Sequence, residues 1–242
     1  MAYSLINGPV GNPQLTPYNL PDSTARLLPG LIVDAVDPYW GGGEFMYVKA
    51  NGSIRQFGLV VITQTIASGQ VVYNATEVPN TAGLGRTLGV AMVPASSGNF
   101  LWVQIGGVVP VNCSASVAAD TTFAIAAAGQ GGALGNGKQV LNARVIIAAT
   151  QTVAKTNCVN NSGSTQLRVS NADGWFAGAY LSGTGVASGA TVTDIDPSGT
   201  LVTMSAVSTA AISGTVTATY NNATVYYNIA HINRPFAQGQ IV

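Results

Sequence analysis

Over most of the chain, apolar and polar residues alternate with period two in short runs broken by turn residues, which predicts strands, not helices. The densest stretch is 87–111, TLGVAMVPASSGNFLWVQIGGVVPV. Its runs 88–93 and 100–105 flank Pro94-Ala95-Ser96-Ser97-Gly98, and a third run, 108–111, follows Gly106-Gly107, the pattern of a β-meander. In the middle run Phe100, Trp102 and Gln104 share one face and Leu101, Val103 and Ile105 the other, so a central strand buried on both sides is expected. Upstream, 31–49 reads as two strands around a turn made of Asp37-Pro38 and Gly41-Gly42-Gly43, with Phe45, Tyr47 and Lys49 opposite Met46 and Val48. Runs 59–65 and 71–75 predict a hairpin. Downstream, 121–125 and 144–152 read as strands, 126–137 as a loop too poor in large side chains to pack, and 225–232 as a last strand.

Between these, residues 156–222 carry a complete pattern of their own. Strand runs fall at 166–169, 179–182, 190–195, 201–204 and 215–220, with turns at Asn171-Ala172-Asp173-Gly174, Gly183-Thr184-Gly185 and Asp196-Pro197-Ser198-Gly199. A repeat of about ten residues suits a small β-sandwich of Ig-like kind, bounded by Asn-rich linkers at 157–161 and 221–222. Residues 1–32 hold Pro9, Pro13, Pro17, Pro21 and Pro29, which predicts an extended arm over its own domain or a neighbour, with at most one helical turn after Asp22 or Ser23. The fold class expected is all-β: a compact antiparallel β-barrel or sandwich core (33–155 plus 223–242), an extended N-terminal arm (1–32) and an inserted β-sandwich domain (156–222).

Composition narrows the partners. Charged residues are 7% of the chain, with nine basic and nine acidic residues scattered singly and a formal net charge of zero. An average soluble domain has roughly 25%, so the surface must be covered by small neutral groups. No basic stripe exists to neutralise phosphates, and nucleic acid is not expected as a direct ligand. Zero net charge suits a chain packed into an assembly. No run approaches the roughly 18 apolar residues of a membrane span, and MAYSLINGPVGNPQL shows no secretory signal pattern. Cys113 and Cys158 lack metal-like spacing and read as free thilos of a protein made in a reducing cytoplasm.

Chemistry-bearing patterns are few. Gly132-Ala133-Leu134-Gly135-Asn136-Gly137-Lys138 fits G-x-x-x-x-G-K, but Gln139 stands where magnesium binding needs Ser or Thr, and a strand-like segment follows in place of a helix. His231 is the sole histidine and reads as a core or interface residue beside Tyr227 and Ile229, with no G-x-S-x-G elbow to serve. Asp194 and Asp196 could pair as carboxylates or calcium ligands, although Asp196 before Pro-Ser-Gly reads more simply as a turn residue; Asp34, Asp37 and Glu44 carry the same ambiguity around their glycine turn. No catalytic, cofactor-binding or metal residue is assigned. Trp175 and Phe176 are the candidate exposed aromatic site of the inserted domain, against the alternative of core packing.

The order Val-x-Ala-x-Asp-Pro-x-x-Gly-x-Gly-Glu-Phe-x-Tyr-x-Lys at 33–49 resembles the opening of the tailed-phage capsid decoration, or cement, proteins. Gly-Val-Ala-Met at 89–92, Trp-x-Gln-Ile-x-Gly at 102–107 and Arg-Pro-Phe at 234–236 match in kind, and the resemblance covers roughly 30–154 and 225–236. It implies a structural, non-enzymatic virion protein, made in the bacterial host cytoplasm, that binds the outside of the mature head and stabilises contacts between major capsid protein subunits. A homotrimer is implied as well. Pro9, Pro13, Pro17, Tyr18, Pro21, Asp37, Tyr39 and Trp40 are the candidate capsid or inter-subunit contacts. The alternative is a tail-fibre or adhesin-type module binding host carbohydrate through the inserted domain.

Overall fold

The computed structural model describes residues 4–5, 20–37 and 40–239. Pro9, Pro13, Pro17, Tyr18 and Tyr39 lie outside them. Regular structure is β throughout the described residues: β1 (Ser4–Leu5), β2 (Ile32–Asp37), β3 (Gly41–Ala50), β4 (Leu59–Ala67), β5 (Gln70–Glu77), β6 (Leu88–Ala91), β7 (Phe100–Cys113), β8 (Ala124–Ala127), β9 (Gln130–Gly132), β10 (Val140–Ile147), β11 (Thr152–Asn160), β12 (Gln166–Arg168), β13 (Tyr180–Ser182), β14 (Val192–Ile195), β15 (Leu201–Met204), β16 (Ile212–Thr219) and β17 (Tyr226–Ala237). Two compact units result, one of residues 149–224 and one of the remaining described residues.

In the larger unit five strands close into a ring. β3 pairs with β7, β7 with β6, β6 with β4, β4 with β5, and β5 returns to β3. Alternation points one set of side chains inward, and Met46, Val48, Val60, Ile62, Leu101 and Val103 fill the barrel as one buried cluster. The core expected to be antiparallel closes instead through a parallel pair, Lys49 with Asn74 and Ala50 with Ala75. β4 and β5 form a tight hairpin, so β5 comes back beside β3 running in the same direction. The left-handed φ values of Ser68 (51°) and Gly69 (78°) are those of a two-residue turn that matches strand twist.

The outer side of β7 is covered too. Residues 20–31 lie across it: Asp22 exchanges backbone hydrogen bonds of 2.8 Å with Phe100, and the Gly30 amide donates to the Tyr47 carbonyl at 2.7 Å. The Tyr47 hydroxyl donates to Asp22 Oδ2 at 2.7 Å, and its ring stacks on Phe100. Asp22 thus fastens the arm's end to its own barrel, and the segment runs through bends and turns without the helical turn allowed by its sequence. Beyond Gly106-Gly107, β7 leaves the ring and pairs with β17, which pairs in turn with β10. The strand expected at 121–125 falls at 124–127 as β8, and the Gly- and Ala-rich stretch expected to be a loop holds its end and its hairpin partner β9. Its glycines pack because they lack side chains: a Cβ on Gly131 would stand 2.9 Å from Cys113 Sγ.

The smaller unit is a single six-stranded sheet, β13-β16-β11-β12-β15-β14, rolled until its edges meet where Leu181 N donates to Ala190 O and Val192 N to Ala179 O. Trp175, Leu167, Ile195, Val216 and Tyr220 form its interior. Its first strand, β11, begins inside the run read as the end of the core domain and includes most of the Asn-rich segment read as a linker. Asn157, at φ 57°, makes a bulge there, and Asn160 is buried. Asn160 Nδ2 donates to the carbonyls of Ser164 and Gln166, while Oδ1 accepts from Ser208 Oγ. Those asparagines belong to the sheet's polar staple.

Candidate functional site

The glycine turn and the carboxylates around it meet the last strand on one face of the larger unit. β2 pairs with β3 so that Asp37 lies opposite Gly41 and Asp34 opposite Glu44. Across β3, Gly43 and Glu44 pair with Gly107 and Gly106, and Gly106 pairs on its other side with Asn233 of β17. Three backbones can approach this closely only without side chains: a Cβ on Gly107 would fall 2.4 Å from the Gly42 carbonyl oxygen, and Gly107 has φ 100°. Gln104 braces the bend, its Nε2 donating to the carbonyls of Gly106 at 2.9 Å and Val108 at 3.1 Å.

Above this glycine floor lies an open groove of about 450 Å³, walled by Asp34, Glu44, His231 and Asn233. Arg234 Nε and Nη2 donate to the two oxygens of Glu44 at 3.2 and 3.1 Å, and the Glu44 hydrogen bond raises the guanidinium's already high pKa. His231 is exposed, which removes the core half of the expected core-or-interface placement. β17 is covered on both faces through Ala230 but only on one beyond it, so Ile232 turns inward and His231 faces solvent. Among the described residues no three His, Cys, Asp or Glu side chains gather closely enough to hold a metal ion.

The other candidates scatter. Pro21 is half-buried immediately before the Asp22 anchor, Trp40 is half-buried at the entry to β3, and Asp37 closes β2. Trp175 and Phe176 are not an exposed site: they are 0% and 4% exposed, Trp175 Nε1 donates to the Val153 carbonyl at 3.0 Å, and Phe176 packs edge-on against Tyr220. Asp196 is a turn residue whose carboxylate accepts from Ser198 Oγ and from the Leu201 and Thr200 amides, hydrogen bonds that hold its pKa below the usual range. The glycine run ending at Lys138 is the tip beyond β9, and Lys138 Nζ donates to Asn80 Oδ1 at 2.9 Å. Cys113 and Cys158 are free and buried, and burial pushes the Cys113 thiol up to about 11.

The Glu44–Arg234 pair links residues 190 positions apart and was invisible in spacing, although each stands in a motif singled out for other reasons. Also missed was the β4–β5 tip, where Ile66 and Val71 are 81% and 51% exposed; its signal is the absence of any charge between Arg55 and Glu77. Compared with known proteins, the chain matches no family model, no curated protein and no solved structure.

Proposed function

We propose that this protein is a structural decoration protein of a tailed-phage head, binding the outer surface of the mature capsid and holding neighbouring major capsid protein subunits together. One observation carries the reading. The four motifs behind the resemblance, far apart in sequence, form one contiguous hydrogen-bonded patch: Glu44 pairs with Gly106, Gly106 with Asn233, Val90 with Gln104, and Arg234 with Glu44. Motifs that converge on paired, largely buried strands are what a shared structural framework requires, and the resemblance assigns that framework to capsid decoration. The charge-poor, net-neutral composition supports the same reading, since a lattice-bound protein gains from burying neutral surface against its neighbours. The role is structural, without catalytic step, cofactor or metal; the protein is made in the bacterial cytoplasm, acts on the virion surface, and assembles as a trimer. The carbohydrate-binding alternative loses its motivating feature with the burial of Trp175 and Phe176.

The test is addition of purified protein to expanded, DNA-free heads of the phage whose genome carries this sequence. Saturable binding in a fixed ratio to the major capsid protein, with a rise in the temperature at which heads disrupt, is expected. Absence of binding at every expansion state overturns the proposal.

A further inference from the structure

A hollow of about 440 Å³ opens at the mouth of the barrel, beneath the projecting β4–β5 hairpin. Its lining includes the barrel residues Met46 and Ile62, then Tyr73 and Phe236. Ile66 and Val71 continue the apolar surface outward: they lie directly opposite each other on the strand face that, further down, points into the barrel. Between them and the rim on this face stand the polar Gln64 and Tyr73, and past these the outermost pair is again aliphatic and exposed.

The hairpin also has an open edge. β6 pairs with β4 only along residues 59–61, and the chain before β6 turns away so that Gly85 N donates to Gln238 O. Among the described residues no strand pairs with 63–67 of β4 on that side. Natural sheets guard such edges with charge, proline or a bulge; residues 56–76 contain no charged side chain and no proline. One cation stands beside the gap. Arg86, exposed and lining the hollow, has no ion-pair partner among the described residues, and no carboxylate lines the hollow with it.

We infer that this edge receives an extended segment of the major capsid protein, which adds as a strand to β4 in line with β6, seats an aliphatic or aromatic side chain in the hollow against Met46, Ile62 and Phe236, and brings an Asp or Glu to Arg86. Backbone pairing supplies affinity, while the apolar seat and the single charge supply selection. The inference rests on the capsid-binding proposal and names the surface that does the binding.

Binding of the full chain to expanded heads is measured by co-sedimentation for wild type, for Ile66→Asp with Val71→Asp, and for Arg86→Glu and Arg86→Lys. All three positions changed are exposed, and thermal melts check that each variant folds. Each acidic variant is expected to bind at least about tenfold more weakly, with Arg86→Lys near wild type. Hydrogen exchange on wild-type protein is expected to show the Gln64 and Ile66 amides, which face the open edge as the Ile62 amide faces Thr87, protected on heads and unprotected off them. Wild-type binding with undiminished binding of the acidic variants, or with the Gln64 and Ile66 amides equally unprotected on and off heads, overturns this inference and leaves the capsid-binding proposal standing. Failure of wild type to bind removes both. If light scattering shows self-association that Ile66→Asp with Val71→Asp abolishes, the occupant is a second copy of this chain, and the inference is likewise overturned.

Discussion

Cys113 ends β7 in a fully buried position, and the backbone of Gly131 closes over its sulfur so tightly that a Cβ there would come within 2.9 Å. Burial destabilises the thiolate and pushes the folded-state pKa to about 11, against an ordinary value of 9.0. A thiol held neutral in the fold contributes stability that is complete below the unfolded-state pKa and is lost as pH rises towards the folded one. Stability should therefore fall between about pH 9 and pH 11, by at most about 1.4 kcal/mol per pH unit for this group. Urea unfolding at pH 8, 9 and 10 measures it, and Cys113→Ala should flatten the decline. An equally steep decline in Cys113→Ala would assign the effect to other groups. Tyr47 behaves in the same direction: burial, then the hydrogen bond to Asp22, raises its phenol far above the usual value, so the arm's fastening persists through this range.

Glycines decide where strands of the larger unit can cross. Gly41 and Gly107 both have positive φ, 82° and 100°, but their surroundings differ. Around Gly41 a Cβ would meet nothing within 4 Å, whereas at Gly107 it would meet the Gly42 carbonyl oxygen at 2.4 Å and Gly43 Cα at 2.9 Å. Gly41→Ala should cost about 1 kcal/mol, the conformational penalty alone, while Gly107→Ala should cost about 3 kcal/mol or more because two backbones must separate. Urea midpoints of the two variants check the difference, and equal losses would show that the β3–β7 crossing is not tight. The same elements show what was legible in the sequence. Alternation located β3, β4, β5 and β7 because their inner and outer residues differ in environment or are apolar on both faces save Gln104, as at 100–105. It could not show the ring, since closure depends on a parallel pair between strands that each read normally alone. It placed β8 a few residues early, at 121–125, missed β9 because packing there works through absent side chains, and missed most of β11 because Asn160 is buried by hydrogen bonds to Ser164, Gln166 and Ser208 in place of apolar contact. The groove was legible only in parts: Asp34, Glu44 and the glycines were visible as a turn, but nothing in spacing joined Glu44 to Arg234.

At the scale of the whole chain, the inserted unit interrupts the larger one at a point where the larger one is already paired. Ile147, at the end of β10, lies opposite Ile229 of β17, so the strands on either side of the insertion are hydrogen-bonded neighbours without it. Each unit has its own sheet and its own buried core: Val48, Val103 and Leu101 in one, Trp175, Leu167 and Tyr220 in the other. Replacing residues 149–224 by a short Gly-Ser linker therefore breaks no strand pairing of the larger unit and shortens the loop between β10 and β17, which lowers the entropy cost of closing it. The shortened protein should fold, keep the unfolding midpoint of the larger unit within about 0.5 kcal/mol, and lack a transition that the full chain shows. Tryptophan makes this measurable, because Trp175 reports on the inserted unit and Trp102 on the barrel. Under the capsid-binding proposal the shortened protein should also bind heads as wild type does, since the motif patch and the β4 edge both lie outside 149–224. A shortened chain that folds with the same midpoint but no longer binds would move the capsid contact into the inserted unit; one that fails to fold would show that the barrel depends on its insertion.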